Sequence, residues 1–206
     1  MTVSPISNTE LERRWAIARA VMDADDLDAL VMHAREDWIG GYVRWFTDVP
    51  ALNGYPKTVA FFRDRPMVVV EMGAFGTDRT PASDDQGARG VGRILGTPSF
   101  HSIHYTIDYD TDLLVGALRD AGAKRLGIMT ALKDGFEIFD ATDPLDHVKA
   151  IKSVEEIALI RKTAELQDKV FAEVCDFIRP GVTDRDVTAH AEAVGRRLGS
   201  DQGIYL

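Results

Sequence analysis

Cysteine is nearly absent from this chain: Cys175 stands alone among 206 residues. One thiol cannot close an intrachain disulfide, so the fold has to rest on buried apolar surface rather than on cross-links. Its place inside a helical pattern points to packing. Basic residues are outnumbered as well. Against 33 Asp and Glu there are 24 Lys and Arg, a formal net charge of −9. That balance argues against nucleic acid, whose binders neutralise phosphates with a basic face, and against an anionic membrane surface. Long apolar runs are missing too, and none approaches the ~20 residues needed to span a bilayer. The opening "MTVSPISNTELERRW" has neither the basic start nor the apolar centre of a secretory signal. A cytoplasmic protein without nucleic-acid or membrane partners is expected.

What is present is ordinary for a globular protein: 45% apolar and 28% charged residues. The length suits one large domain, or one ordinary domain plus a fragment. Leu11, Trp15, Ala18 and Met22 recur at helical spacing over residues 9–25, and Thr9 with Glu12 reads as a capping box. "LDALVMH" (27–33) reads as a buried strand. "REDWIGGYVRWF" (35–46) reads as a helix that breaks at Gly40-Gly41 into an extended segment. "KTVAFF" (57–62) and "PMVVVE" (66–71) flank "RDR" at hairpin spacing, with Pro66 opening the second strand. Residues 73–100, rich in Gly, Pro, Ser and Asp, read mainly as an exposed excursion that contains a short strand at "GVGRIL". A helix over 110–122 stopped by Gly122, a strand at 125–129 and a short helix at 130–139 follow. This alternation predicts an α/β domain over residues 1–150, a mixed sheet flanked by helices.

Residues 143–153 read as a connector. After it the helix signals sharpen. Ser153 with Glu156 forms a capping box, and Glu155 adds negative charge at the same end. Ile157, Ile160, Ala164, Phe171, Val174 and Ile178 make one apolar stripe, expected to be buried against something outside its own helix. "RPG" (179–181) ends that helix, and Thr183 with Asp186 opens another that lasts to about Leu198. Two amphipathic helices with little chain after them read as a domain begun and not finished.

The stretch 151–187 resembles the opening of the catalytic domain in the creatinase/aminopeptidase P/prolidase family, the "pita-bread" metallohydrolases. The resemblance rests on Lys152-Ser153, Glu156-Ile157, Arg161-Lys162 and Pro180-Gly181-Val182-Thr183-Asp184, which keep the family's spacing. "YVRWFTDV" (42–49) is similar to the family's aromatic-Thr-Gly turn, with Asp48 where Gly is usual. The resemblance implies a family N-terminal α/β domain over 1–150 and a truncated start of the pita-bread domain over 151–206. It also implies a parent enzyme in which two divalent metal ions (Mn, Co or Zn), held by two Asp, one His and two Glu, activate a water against an amide-type carbon. All five ligands normally lie beyond residue 206, so no catalytic residue and no metal ligand is assigned here, and this chain alone is expected to be inactive. In relatives the N-terminal domain lends residues near 38–56 to the substrate rim, often that of a dimer partner. Arg44 is therefore a candidate to pair with a substrate carboxylate, and Trp45 or Tyr55 to wall an apolar group.

Other segments carry weaker chemistry. "HSIHYTIDYD" (101–110), if extended, would put His104, Asp108 and Asp110 on one face, but its His101-x-x-His104 pair would point to opposite faces, so a loop or edge strand is the plainer reading. "HAE" (190–192) lacks the Pro-Cys-x-x-Cys partner of zinc deaminases. "GARGVGRILG" (87–96) lacks the P-loop Lys and the dinucleotide spacing. "DADDLD" (23–28) reads as a solvated helix end and turn. The expected function is the N-terminal, non-catalytic portion of an Xaa-Pro peptidase or creatinase-like amide hydrolase acting on a small peptide or amide. Its expected contributions are dimerisation, as a homodimer, and the substrate rim. The alternative is a free-standing, non-enzymatic dimerisation or regulatory domain.

Overall fold

Two β-rich segments joined by a short polar turn set the register of the sheet. In the computed structural model, which describes residues 6–34, 41–51, 55–98, 108–128 and 136–200, β2 (Lys57–Phe62) pairs antiparallel with β3 (Met67–Met72). Pro66 precedes the second strand, where its missing N–H costs no ladder bond. On one side β2 meets β1 (Ala29–Ala34), also antiparallel; on the other, β3 runs parallel to β5 (Val91–Thr97). β4 (Asp78–Arg79) borders β5. β6 (Arg125–Ile128) lies parallel to β1 and carries β7 (Glu137–Asp140) outside it. The sheet is mixed and seven-stranded, in the order β4-β5-β3-β2-β1-β6-β7.

Alternation along the strands sends side chains to two cores. Leu30, Met32, Val59, Phe61, Met67, Val69 and Ile94 face one side. There they meet Ala18 and Met22 of α1 (Asn8–Ala24), Val43 and Phe46 of α2 (Tyr42–Thr47), and Leu145 of α4 (Thr142–Ala150). Ala29, Val31, Ala60, Phe62, Val68, Val70, Leu95 and Leu126 face the other, against Leu114, Ala117 and Leu118 of α3 (Tyr109–Asp120). Burial on both faces explains why the central strands are nearly continuous apolar runs. Each fully buried Leu, Met or Phe contributes about 1.5–3 kcal/mol.

Several local expectations need correction. The N-cap of α1 is Ser7, whose Oγ accepts from the Glu10 amide at 3.0 Å, not Thr9. Residues 42–47, expected to be extended, form helix α2. The break falls before the helix, with Gly41 as its N-cap, and residues 35–40 lie outside the described ones. Residues 137–139, expected to end a helix, instead belong to strand β7 and pair with β6; residues 130–135 of that expected helix are outside the described set. Residues 143–153 are not a plain connector, because α4 occupies most of them. Pro144 falls in its first turn, where a missing N–H is tolerated, and Leu145 is fully buried. Within 73–100 the strand at "GVGRIL" is present as β5 and packs on β3, with Ile94 and Leu95 buried.

The chain divides into two compact units, Ser7–Ile151 and the segment from Lys152 onward. In the second, α5 (Val154–Phe177) and α6 (Asp184–Leu198) each start with a reciprocal capping box, Ser153 with Glu156 and Thr183 with Asp186. Gly199, at φ 100°, closes α6 in the left-handed conformation that glycine adopts without cost. Val170, Val174, Ala191 and Val194 form the core between these helices, edged by Leu166, Val187 and Leu198. The expected stripe on α5 is only partly buried. Val174 joins the core, but Ile157, Ile160, Phe171 and Ile178 are exposed, Phe171 at 60%. The seam facing α6 runs through Val170 and Val174, rotated from the Phe171 side of the helix. Cys175 is exposed rather than packed.

Asp28 is the polar tie at the start of β1. It accepts from the amides of Lys124 and Arg125 at 2.8 and 2.9 Å, and Arg63 reaches it at 3.2 Å. Burial pushes its carboxyl up, yet these donors outweigh burial and leave its pKa below the ordinary value. Folded Asp28 therefore binds its proton more weakly than unfolded Asp28. Its stabilisation is present above the ordinary carboxylate pKa of about 4 and is lost as pH falls through the lowered folded value. Asp28→Ala is expected to cost about 1–2 kcal/mol at pH 7, discounted for its partial exposure. Urea unfolding should show that difference shrinking on acidification; an equal difference at neutral and strongly acidic pH would contradict it.

Candidate functional site

Helix α2 carries Arg44 and Trp45, two of the three rim candidates, and at six residues it is too short to persist alone. Its last carbonyls have no intrahelical donor, and side chains of α1 supply the bonds. Arg14 Nη1 donates to the Trp45 carbonyl at 3.1 Å, and Trp15 Nε1 donates to the Phe46 carbonyl at 2.8 Å. The Arg14 guanidinium is buried and held by Glu10 at 3.1 Å, and it lies 5.5 Å from the centre of the Trp45 ring. A cation at the carbonyl end of a helix also complements its dipole. Inside α2, Thr47 Oγ1 donates to the Val43 carbonyl at 2.7 Å and accepts from the Val49 amide at 3.1 Å.

Asp48 follows, at φ 60° and ψ 3°, and its amide donates to the Arg44 carbonyl at 2.8 Å. A left-handed residue at this place suits glycine best, and Asp is one of the few other residues that adopt it readily. The Asp48 carboxylate pairs with Arg89 Nη2 at 2.6 Å, and Arg89 Nη1 donates to Asn8 Oδ1 at 3.2 Å. At the other end of α2, Tyr42 Oη donates to Asp146 Oδ1 of α4 at 2.6 Å, with Lys149 Nζ 3.8 Å above its ring. Burial first, then the Asp146 carboxylate, pushes the phenol's pKa well above its ordinary value.

Arg44 is half-buried on α2. Trp45 is half-buried beside the first core and meets Phe46 edge to face at 4.9 Å. Tyr55 stands on the stretch leading into β2 and is 46% exposed.

A second polar cluster was not foreseen as a unit. His33 on β1 lies opposite Thr58 on β2, and its Nδ1 is 2.8 Å from Thr58 Oγ1 and 3.4 Å from Asp110 Oδ2. Thr58 Oγ1 lies 3.2 Å from the same carboxylate oxygen. Only the cross-strand register of His33 and Thr58 could have signalled it. Asp110 is buried at the first turn of α3, with Asp108 at the N-cap position; His101 and His104 lie outside the described residues. Arg63 gathers Asp23, Asp26 and Asp28 at 3.9, 3.3 and 3.2 Å, so the "DADDLD" turn surrounds a protein cation. Both arginines of the glycine-rich segment form ion pairs, Arg89 with Asp48 and Arg93 with Asp78. His190 stacks on Phe177 at 4.1 Å. Among the described residues no three His, Cys, Asp or Glu side chains converge to hold a metal ion, and no helix is long and apolar enough to cross a membrane.

No protein-family model matches the chain. Among curated proteins, an uncharacterized peptidase of Staphylococcus aureus is 36% identical over 58 residues, 28% of this chain and 16% of that protein. The uncharacterized peptidase YqhT of Bacillus subtilis is 25% identical over 96 residues, 41% of this chain and 27% of that protein. Among solved structures, prolidase from Thermococcus sibiricus aligns with a TM-score of 0.65 at 13% identity, over 95% of this chain and 52% of that one. X-Pro aminopeptidase from Thermotoga maritima aligns at 0.63 and 14%, over 91% and 50%. Prolidase from Pyrococcus horikoshii aligns at 0.57 and 20%, over 92% and 50%. The chain thus has the fold of the N-terminal regions of prolidases and Xaa-Pro aminopeptidases, in agreement with the resemblance read from its sequence. It spans about half the length of those solved chains.

Trp15→Phe keeps an aromatic ring but removes the donor to the Phe46 carbonyl, together with part of the indole that packs over Gly90. It is expected to lower stability by about 1–2 kcal/mol, read from the urea midpoint at constant slope. An unchanged midpoint would show that this bond contributes nothing.

Proposed function

We propose that this chain is the N-terminal, non-catalytic portion of a metal-dependent Xaa-Pro peptidase or creatinase-like amide hydrolase. The observation that carries the reading is the alignment of more than nine-tenths of the chain with half of each solved prolidase or aminopeptidase named above. In this reading residues 1–150 are the family's N-terminal domain and residues 151–206 open its catalytic domain. The protein works in the cytoplasm as a homodimer on a small peptide or amide. Two divalent ions, Mn, Co or Zn, would supply an activated water and polarise the scissile carbonyl. The described residues do not fit such a pair, so no step of the chemistry is assigned to them.

The part given to this chain is recognition. In this reading Arg44 pairs with a substrate carboxylate, and the Trp45 and Tyr55 rings wall an apolar group such as a proline-like ring. α1, by satisfying the carbonyl end of α2, holds the first two in place.

The test is an Xaa-Pro dipeptide assay on the protein that contains this chain together with a catalytic half, alongside the 206-residue chain alone. Turnover is expected only in the former, lost on chelation and restored by manganese. Arg44→Gln should raise KM about 10-fold or more with little change in kcat, the loss of one charge-assisted contact. Turnover by the 206-residue chain itself, or an unchanged KM in Arg44→Gln, would overturn the corresponding part of this reading.

A further inference from the structure

The charges around the turn between β2 and β3 are unevenly matched. Arg63 pairs with Asp23, Asp26 and Asp28, at 3.9, 3.3 and 3.2 Å. Arg65 forms a forked pair with Asp64, at 3.0 and 3.3 Å. Arg19 of α1, half-buried over the same turn, meets no carboxylate at ion-pair distance among the described residues. Its partners are of another kind. Nε donates to the Arg63 carbonyl at 2.9 Å, and the guanidinium carbon stands 4.7 Å from the centre of the Phe61 ring. Those two contacts hold the guanidinium in place and leave the N–H donors of both Nη atoms unused.

A cleft of about 360 Å³ opens beside that guanidinium, within the range of about 300–1,000 Å³ usual for small-molecule sites. Besides the three arginines and Asp64 it is lined by Trp15, Phe61, Pro66, Met67 and Gly90, so its wall is mostly apolar. The pairing of β3 with β5 slips by one residue at its edge. Met67 faces Val91 and Val68 faces Arg93, which leaves Gly92 over. A bulge of this kind bends the strand and commonly borders a site. Arg44, Trp45 and Tyr55 are not part of this lining.

We propose that this cleft binds a small monocarboxylate with an apolar body, an aryl or branched-chain acid, held end-on by the Nη atoms of Arg19 while its body lies against Trp15, Pro66 and Met67. A carboxylate matches the planar fork of a guanidinium through two parallel bonds. Arg63 and Arg65 already have carboxylates, so the cleft has one uncompensated cation to offer. With Asp64 also in the lining, a second negative charge on the ligand finds no partner there. That selects a carboxylate over a phosphate dianion. Because the guanidinium is held before a ligand arrives, little side-chain entropy is lost on binding. The site is independent of the peptidase reading, and the 206-residue chain alone contains it.

Phenylacetate, phenylacetamide and phenyl phosphate share a ring and differ in charge. Each is titrated into the 206-residue chain at low salt and neutral pH, followed by the amide NMR shifts of Arg65, Met67 and Gly90. Phenylacetate should saturate with a Kd of about 1 mM or below. The neutral amide and the phosphate should each bind about 10-fold more weakly or worse. Arg19→Gln should weaken phenylacetate by about the same factor, and Arg19→Lys, which keeps the charge without the fork, by less. Removing the self-neutralised pair as a unit, Asp64→Asn with Arg65→Gln, should change the Kd less than about twofold. No shift of these amides at about 10 mM phenylacetate, equal binding of acid and amide, or an unaltered Kd in Arg19→Gln would overturn the site. A larger effect of the Asp64–Arg65 double variant than of Arg19→Gln would overturn the assignment to Arg19, and tighter binding of phenyl phosphate the selectivity for one charge. If Arg19→Gln does not fold, the comparison of acid with amide on the unaltered chain decides the proposal by itself.

Discussion

Burial of the sheet on both faces is the constraint on which the first unit depends. With period-2 alternation, each central strand must supply apolar residues to two layers at once, and β1, β2 and β3 do so almost without interruption. The polar residues in these strands lie at their ends. Thr58 faces His33 and Asp110, and Lys57 pairs with Glu71. Gly127 in β6 shows how tight this packing is: an added Cβ would come within 2.8 Å of both Leu27 and Leu30. Once α3 covers one face and α1, α2 and α4 the other, the positions of the connecting helices are fixed by the strands beneath them.

α2 shows how that framework holds a segment with little helical tendency of its own. Phe46 anchors it, fully buried and 4.8 Å from the Phe61 ring on β2. The anchor leaves the carbonyl end of the helix beside α1, and Arg14 and Trp15, consecutive residues there, bond to two consecutive carbonyls. Gly90 completes the arrangement, with a positive φ and no Cβ where the Trp15 ring passes; an added Cβ would come within 2.4 Å of that ring. The indole is thereby held between a glycine and a helix end, and its N–H has a fixed target.

These relations explain which parts of the structure could be read in advance. The β2–β3 hairpin, α3 with its Gly122 stop, and the two capped helices α5 and α6 are specified by local signals: strand alternation, caps and breakers within a few residues. α2, α4 and β7 are not. α2 is stabilised by donors about thirty residues away, α4 carries a proline that reads as a breaker unless its first-turn position is known, and β7 exists through its pairing with β6. The candidate residues and their surroundings follow the same rule. Arg44, Trp45 and Tyr55 could be singled out by composition and resemblance. Arg14, Trp15 and Arg89, which bond to the Trp45 carbonyl, the Phe46 carbonyl and the Asp48 carboxylate, had no local signal, because these partners are brought near only by folding.

The second unit separates two meanings of an apolar stripe. Periodicity places Ile157, Ile160, Phe171 and Ile178 along one helix, but period alone does not say which neighbour covers which arc. α6 is short and takes only the arc through Leu166, Val170 and Val174, leaving the Phe171 arc to water. α6 itself shows a narrower apolar face, Val187, Ala191, Val194 and Leu198 at steps of four, three and four, matched to that arc. The two helices therefore specify each other through a few small β-branched and alanine side chains. Ile157, Ile160, Phe171 and Ile178 lie outside that seam, so the stability of the helix pair does not depend on their burial.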